Sequence, residues 1–294
     1  MKGPSQGLDR SGVRRSFDRA SVSYDGSAVL QARVRTELID RLQPMALDPR
    51  VVLDLGAGTG HGALALKKLY RKATVMAVDS APGMLREAGR RIRLLKRFER
   101  VCADALALPI ADGSVDLVFS SLLLQWCDDL SGVLSEIRRV LKPGGFLALS
   151  TLGPDTLREL RAAWAASDSA SHVNDFLDLH DVGDAMARAG LCEPVLDVDR
   201  ITLTYPDVLS LVRDLKAIGA RNVTSGRLKG LTGRAKWRTM VAAYEPFRLS
   251  GVVPATYEVV YAAAWGAAPR DTHAPAEVRI PAGAIRRRVR EQAQ

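Results

Sequence analysis

Cysteine is scarce in this chain: Cys102, Cys127 and Cys192 are three in 294 residues, odd in number and far apart. That spacing offers neither a disulfide framework nor a zinc site, and it leads us to expect a reduced, cytoplasmic setting. Histidine is equally sparse, with His61, His172, His180 and His273 scattered along the sequence. No His/Asp or Cys/His catalytic constellation presents itself, and each histidine is expected to be structural or exposed. Long apolar runs are missing too. Val115–Leu124, itself broken by Asp116, falls far short of the ~20 residues a membrane helix needs. The opening stretch MKGPSQGLDRSGVRRSFDR carries charge with no apolar segment after it, which argues against a secretory signal. Aromatics are only 5%, so aliphatic side chains must build the core.

What is present is a globular composition, 47% hydrophobic and 26% charged, with a net charge of +9. The charge is uneven. Arg213–Arg248 holds nine Lys/Arg against two Asp/Glu, and Arg270–Gln294 six against three. Basicity confined to one segment and one tail suggests an acidic macromolecular partner, with a solvated basic face as the plain alternative.

Residues 1–44 read as a helical N-terminal segment, with helical spacing from Ala28 to Leu42. Strands and helices then alternate. Val51–Leu55, Ala73–Val78, Val101–Ala105, Val115–Ser121 and Phe146–Thr151 read as strands. His61–Tyr70, Pro82–Lys96 and Leu130–Leu141 read as helices, the last stopped by Lys142-Pro143-Gly144-Gly145. Helices over Thr156–Ala166 and Asp181–Ala189 follow, then a strand Val195–Tyr205 paired with a final one, Thr256–Trp265. A basic helical insertion, 206–249, lies between those two strands, and the Ala/Pro/Arg-rich tail 267–294 is expected to be disordered. The pattern predicts an α/β fold, a doubly wound, mostly parallel Rossmann-like sheet over 45–266. Ligands of such sheets bind outside the carboxyl ends of the strands.

The first predicted strand runs into Asp54-Leu55-Gly56-Ala57-Gly58-Thr59-Gly60. Glycines let a ligand approach the backbone. A dinucleotide fingerprint wants its third glycine at position 61, where this chain has His61. Asp54 would also repel a pyrophosphate, whereas a ligand bearing an ammonium and a sulfonium would tolerate it. Nineteen residues past Gly60, Asp79 ends the second predicted strand and is placed to accept ribose hydroxyl protons; a helix N-cap is its plainer reading, a role open equally to Ser80. Asp104-Ala105 ends the third, placed to meet an exocyclic adenine amine.

These residues, with Leu106–Pro109 and Leu141–Gly145, resemble the class I methyltransferases. The resemblance implies S-adenosyl-L-methionine as cofactor, with Met84 and Ser121 joining Asp54, Gly56, Ala57, Gly58, Gly60, Asp79, Ser80, Asp104 and Ala105 around it. A narrower set is similar to the malonyl-acyl-carrier-protein O-methyltransferases of biotin synthesis: Phe17–Ala20 with Tyr24-Asp25 and Gln31, Leu123–Asp128, Thr151–Leu160, Leu215–Ala220 and Ala255–Val259. That likeness implies Tyr24 within a lid over the cofactor, Gln125 near the site, and a malonyl-loaded acyl carrier protein as partner.

Such a reaction needs no general base, because a carboxyl group, whose ordinary pKa is about 4, is ionised at pH 7. A cation should hold the substrate carboxylate. Arg213, Lys216 and Arg221 are the candidates, with Trp126 and Trp237 at the entry or in the core. Other readings stay open: methyl transfer to another acid or a quinone precursor, a methyltransferase-fold assembly factor of complex I, or RNA modification. The last is disfavoured because Ser120-Ser121-Leu122 stands where an Asn/Asp-Pro-Pro-aromatic site would be. No nucleic-acid, metal or membrane partner is expected.

Overall fold

A computed structural model describes residues 7–92, 97–220 and 233–266. Its helices are α1 (Arg10–Ala20), α2 (Tyr24–Ser27), α3 (Val29–Asp40), α4 (His61–Leu69), α5 (Pro82–Arg90), α6 (Leu130–Val140), α7 (Arg158–Ala165), α8 (Leu179–Arg188), α9 (Val208–Ala217) and α10 (Arg234–Tyr244). The strands are β1 (Val51–Leu55), β2 (Thr74–Asp79), β3 (Glu99–Cys102), β4 (Val115–Ser121), β5 (Leu141–Leu152), β6 (Leu191–Tyr205) and β7 (Val253–Gly266). They form one seven-stranded sheet in the order β3-β2-β1-β4-β5-β7-β6. β1 to β5 pair in parallel, and β7 runs antiparallel to both β5 and β6. The fold is the doubly wound class expected from the sequence.

Alternation along the strands sends Val52, Leu117 and Phe119 into one apolar cluster with α3 and α4. Leu53, Leu55 and Val118 join another with α6 and α8. Both faces are covered, which is why β1 and β4 read as nearly unbroken apolar runs. Strand order reverses between β1 and β4, so the crevice beyond their carboxyl ends is the place for a ligand. No helix among the described residues is long and apolar enough to cross a membrane. The three cysteines are free.

Some boundaries differ from the sequence reading. β3 occupies Glu99–Cys102 instead of Val101–Ala105. It is an edge strand paired only with β2, and its last partner is Asp79. Asp104 therefore lies in the turn beyond, its Oδ1 accepting the Leu106 N–H at 3.0 Å. α5 stops at Arg90 rather than Lys96, closed by short-range bonds from Arg91 N to Ala88 O and Ile92 N to Gly89 O. Residues 93–96 lie outside the described residues. Pairing of β5 begins at Leu141 opposite Val115 and resumes at Phe146 opposite Leu117, so the Lys-Pro-Gly-Gly segment bulges out of the strand. Within the 206–249 insertion, Val208, Leu211, Met240 and Tyr244 are core residues. Residues 221–232, Arg221 among them, lie outside the described part, as does the tail 267–294 with His273.

Candidate cofactor and acceptor site

A large cavity opens where the sheet order reverses. The cofactor residues expected from the sequence that line it are Tyr24, Gly56, Gly58, Asp79, Ser80, Met84, Asp104, Ala105, Ser121 and Gln125, and Trp126 lines it as well. Ala57 and Gly60 shape the loop without reaching the cavity surface. Asp54 lies just beneath it.

Asp54 is 2% exposed. Strand alternation points it into the apolar face under α4, where it accepts the Ala63 N–H, while its Oδ2 has no partner among the described residues. Burial pushes its pKa up to about 7, against the pull of that N–H and of Arg35 on α3. Asp79 has a different posture. Its Oδ2 accepts the Gly58 N–H at 2.9 Å and its Oδ1 the Ala81 N–H at 2.8 Å. It thus fixes the glycine turn to the start of α5 while facing the cavity. The side-chain cap that Asp79 or Ser80 could have made is not found; Ala81 is the N-cap of α5. Gln125 sits in a short turn, its Nε2 donating to Leu122 O at 2.7 Å and its Oε1 accepting the Thr151 hydroxyl at 3.2 Å.

The N-terminal helices close over this cavity. Asp18 accepts the Gly83 N–H at 2.5 Å, and the Leu8 N–H donates to Asp128 at 3.0 Å. Arg10 donates to Asp104 at 2.6 Å. Asp25 takes the Thr59 hydroxyl at 2.7 Å, lies 3.3 Å from His61 Nε2 and pairs with Arg91. Burial first, then Arg91 and Arg35, lower the His61 pKa, so the ring is neutral at pH 7. The next residue back, Tyr24, enters the cavity; burial, reinforced by Asp79, raises its phenol pKa and keeps it protonated. Phe17 packs edge-on against Trp126 with ring centroids 5.1 Å apart. Because Asp25 latches Tyr24 in place, Asp25→Ala is expected to raise the KM for the cofactor roughly three- to tenfold in steady-state kinetics. Its effect on stability should be under about 1 kcal/mol, as exposed pairs contribute little.

Arg213 and Lys216 are not brought to the cavity. The inward positions of α9 are Val208, Leu211 and Leu215, continued by Ile218 at its C-cap, three and four residues apart, so the same periodicity turns the two cations to solvent. Arg10 lines the cavity instead, already paired with Asp104. Trp237 packs on Trp164 at 6.2 Å rather than at the entry. Residues that the sequence did not single out for the site include Arg10, His172, Asn174 and Phe176. They lack any motif spacing that would mark them.

An unpartnered buried carboxylate oxygen, a second carboxylate at the end of β2 and a glycine open to the cavity fit a cationic nucleoside and oppose a pyrophosphate. A family model described as "Methyltransferase domain" matches residues 53–149. With the site geometry, this makes the chain a class I methyltransferase that uses S-adenosyl-L-methionine. Malonyl-[acyl-carrier protein] O-methyltransferase of Laribacter hongkongensis is 52% identical over 89% of this chain and 91% of its own length. The protein of that name from Halorhodospira halophila is 48% identical over 98% and 99%. The chain belongs to this malonyl-[acyl-carrier protein] O-methyltransferase family. Among solved structures, a Bacillus halodurans methyltransferase is 21% identical with a TM-score of 0.57, covering 79% of this chain and 100% of that one. At that identity it supports the fold alone.

Proposed function

We propose that the chain methylates the free carboxylate of a malonyl group carried by acyl carrier protein, as a step of biotin synthesis. The observation that carries this reading is the extent of the family likeness. It runs through the lid and the insertion, the segments that complete the cavity, and not only through the nucleotide-binding core.

Residues 1–44 serve as the lid and 45–266 as the transfer domain. Asp79 would hold the ribose hydroxyls, Asp104-Ala105 the adenine edge, and the Gly56–Gly60 turn the amino-acid end, with Asp54 supplying negative potential from below. When bound, the sulfonium supplies an electrophilic methyl group and leaves as a neutral thioether. The acceptor is already ionised at pH 7, so these residues need only orient it and exclude water, and orientation can contribute about 7–11 kcal/mol. Phe17, Tyr24 and Trp126 supply the water-excluding cover.

Exposed cations on α9 and α10 (Arg213, Lys216, Arg234, Lys236 and Arg238) would receive an acidic carrier, a contact that weakens with salt. The test is transfer of labelled methyl from the cofactor to malonyl- and acetyl-loaded carrier protein. Base-labile label on the malonyl form alone supports the reading. Label on the acetyl form, or on neither, defeats it.

A further inference from the structure

Beyond the cofactor wall, the cavity is lined by elements that follow β5: Thr156 and Leu160, the segment through His172 and Asn174, and Ile218. Most polar groups there are already engaged. The Thr156 hydroxyl donates to Glu258 O at 3.2 Å and accepts the Glu258 N–H at 3.1 Å. Tyr257 is hydrogen-bonded to Tyr205. Among the described residues there, two side chains are left with capacity.

His172 is fixed on two sides. Its ring stacks on Trp164 at 3.8 Å and 8°. Its Nε2 lies 2.7 Å from Asp168 Oδ1, and Asp168 is in turn held by Lys236 Nζ at 2.9 Å. Those two partners hold the Asp168 carboxyl well below the usual range, at about 2. It is ionised, so Nε2 carries the proton between them. Among the described residues, Nδ1 has no hydrogen-bond partner. Asn174 is 7% exposed, and its Oδ1 has no partner either. A buried amide oxygen left unpaired is costly unless a ligand supplies the donor.

We infer that His172 and Asn174 form the acceptor subsite, His172 Nδ1 gripping the malonyl carboxylate and Asn174 accepting the first amide N–H of the pantetheine arm. The inference rests on the malonyl reading and deepens it. Such a grip uses both ring nitrogens as donors, Nε2–H to Asp168 and Nδ1–H to the substrate carboxylate. Holding one carboxylate oxygen leaves the other free to attack the methyl carbon. The O–CH3 bond forms as the S–CH3 bond breaks, and no proton moves. The ester carries no charge, so the grip loosens on product, which favours its release.

The test compares the KM for malonyl-carrier protein with the Ki of acetyl-carrier protein, which lacks the carboxylate, in the unaltered chain, His172→Gln and Asn174→Ala. Adenosylhomocysteine affinity serves as the fold control, expected within about twofold in both variants. His172→Gln is expected to raise the malonyl KM roughly 10- to 100-fold, the size of a lost charged hydrogen bond, while moving the acetyl Ki less than about twofold. Asn174→Ala is expected to weaken both forms together, about three- to tenfold. Equal weakening of both thioesters by His172→Gln, or of neither, overturns the carboxylate assignment. No effect of Asn174→Ala overturns the arm contact. If the unaltered chain methylates no malonyl carrier, the parent reading falls; if it does so and the malonyl/acetyl ratio survives His172→Gln, only the subsite falls.

Discussion

Gly58→Asn is expected to leave the chain folded while lowering adenosylhomocysteine affinity about 100-fold or more, the equivalent of about 3 kcal/mol. Gly58 has φ +51°, and a Cβ added there meets nothing within 4 Å. That open space is the cavity. Asparagine tolerates the left-handed region better than other side chains, so the fold should lose about 1 kcal/mol or less. Its carboxamide would then fill the volume a ligand needs against the turn. Gly60 gives the contrast. Its φ is +82°, and a Cβ would sit 2.8 Å from Ala88 Cβ and 3.1 Å from Phe98. Gly60→Ala should therefore destabilise the fold, by about 2 kcal/mol or more from strain and overpacking. Denaturant unfolding and calorimetry on both variants separate the two roles. If Gly58→Asn kept its affinity, the ligand would not lie against the turn.

Asp54 makes the second prediction, in the protein without ligand. Burial raises its pKa to about 7, against about 3.9 in the unfolded chain. Between those values the folded state holds a proton that the unfolded state has released. Stability must then fall as pH climbs from about 4 to about 7, and this contribution levels off above that. Between pH 5 and pH 8 the loss from this group is on the order of 3 kcal/mol. Asp54→Asn removes the titration, so the variant should gain on the unaltered chain by about that amount between the same two pH values. A difference that stays flat with pH would mean that Asp54 is not held in its protonated form. A cationic ligand reverses the preference by favouring the carboxylate, so cofactor binding should tighten as pH rises toward 7 and release a proton below it.

Much of the cofactor wall was legible because its signals are local. β1 and β4 are buried on both faces, so their apolar runs coincide with the observed strands at Val51–Leu55 and Val115–Ser121. The Asp54–Gly60 turn follows from where β1 ends, and Asp79 from where β2 ends. β3 was misplaced because an edge strand carrying Glu99 and Arg100 has no apolar alternation to mark it. Charge alone singles out Arg213 and Lys216, although Leu211 and Leu215, with Ile218 just past the helix end, define the inward face of α9. The acceptor wall was least legible. His172 gains its meaning from Trp164, Asp168 and Lys236, and the contact of Asp168 with Lys236 spans 68 residues. Arg10 reaches Asp104 across 94. No periodicity encodes such pairings; only the fold brings them together.

The most direct measurement is a calorimetric titration of adenosylhomocysteine into the unaltered chain and Asp79→Lys, side by side at neutral pH. A ribose seated on the β2 carboxylate requires clear binding to the first and a loss of about 100-fold or more in the second. Equal affinity in the two proteins, or none in the unaltered chain, would contradict it.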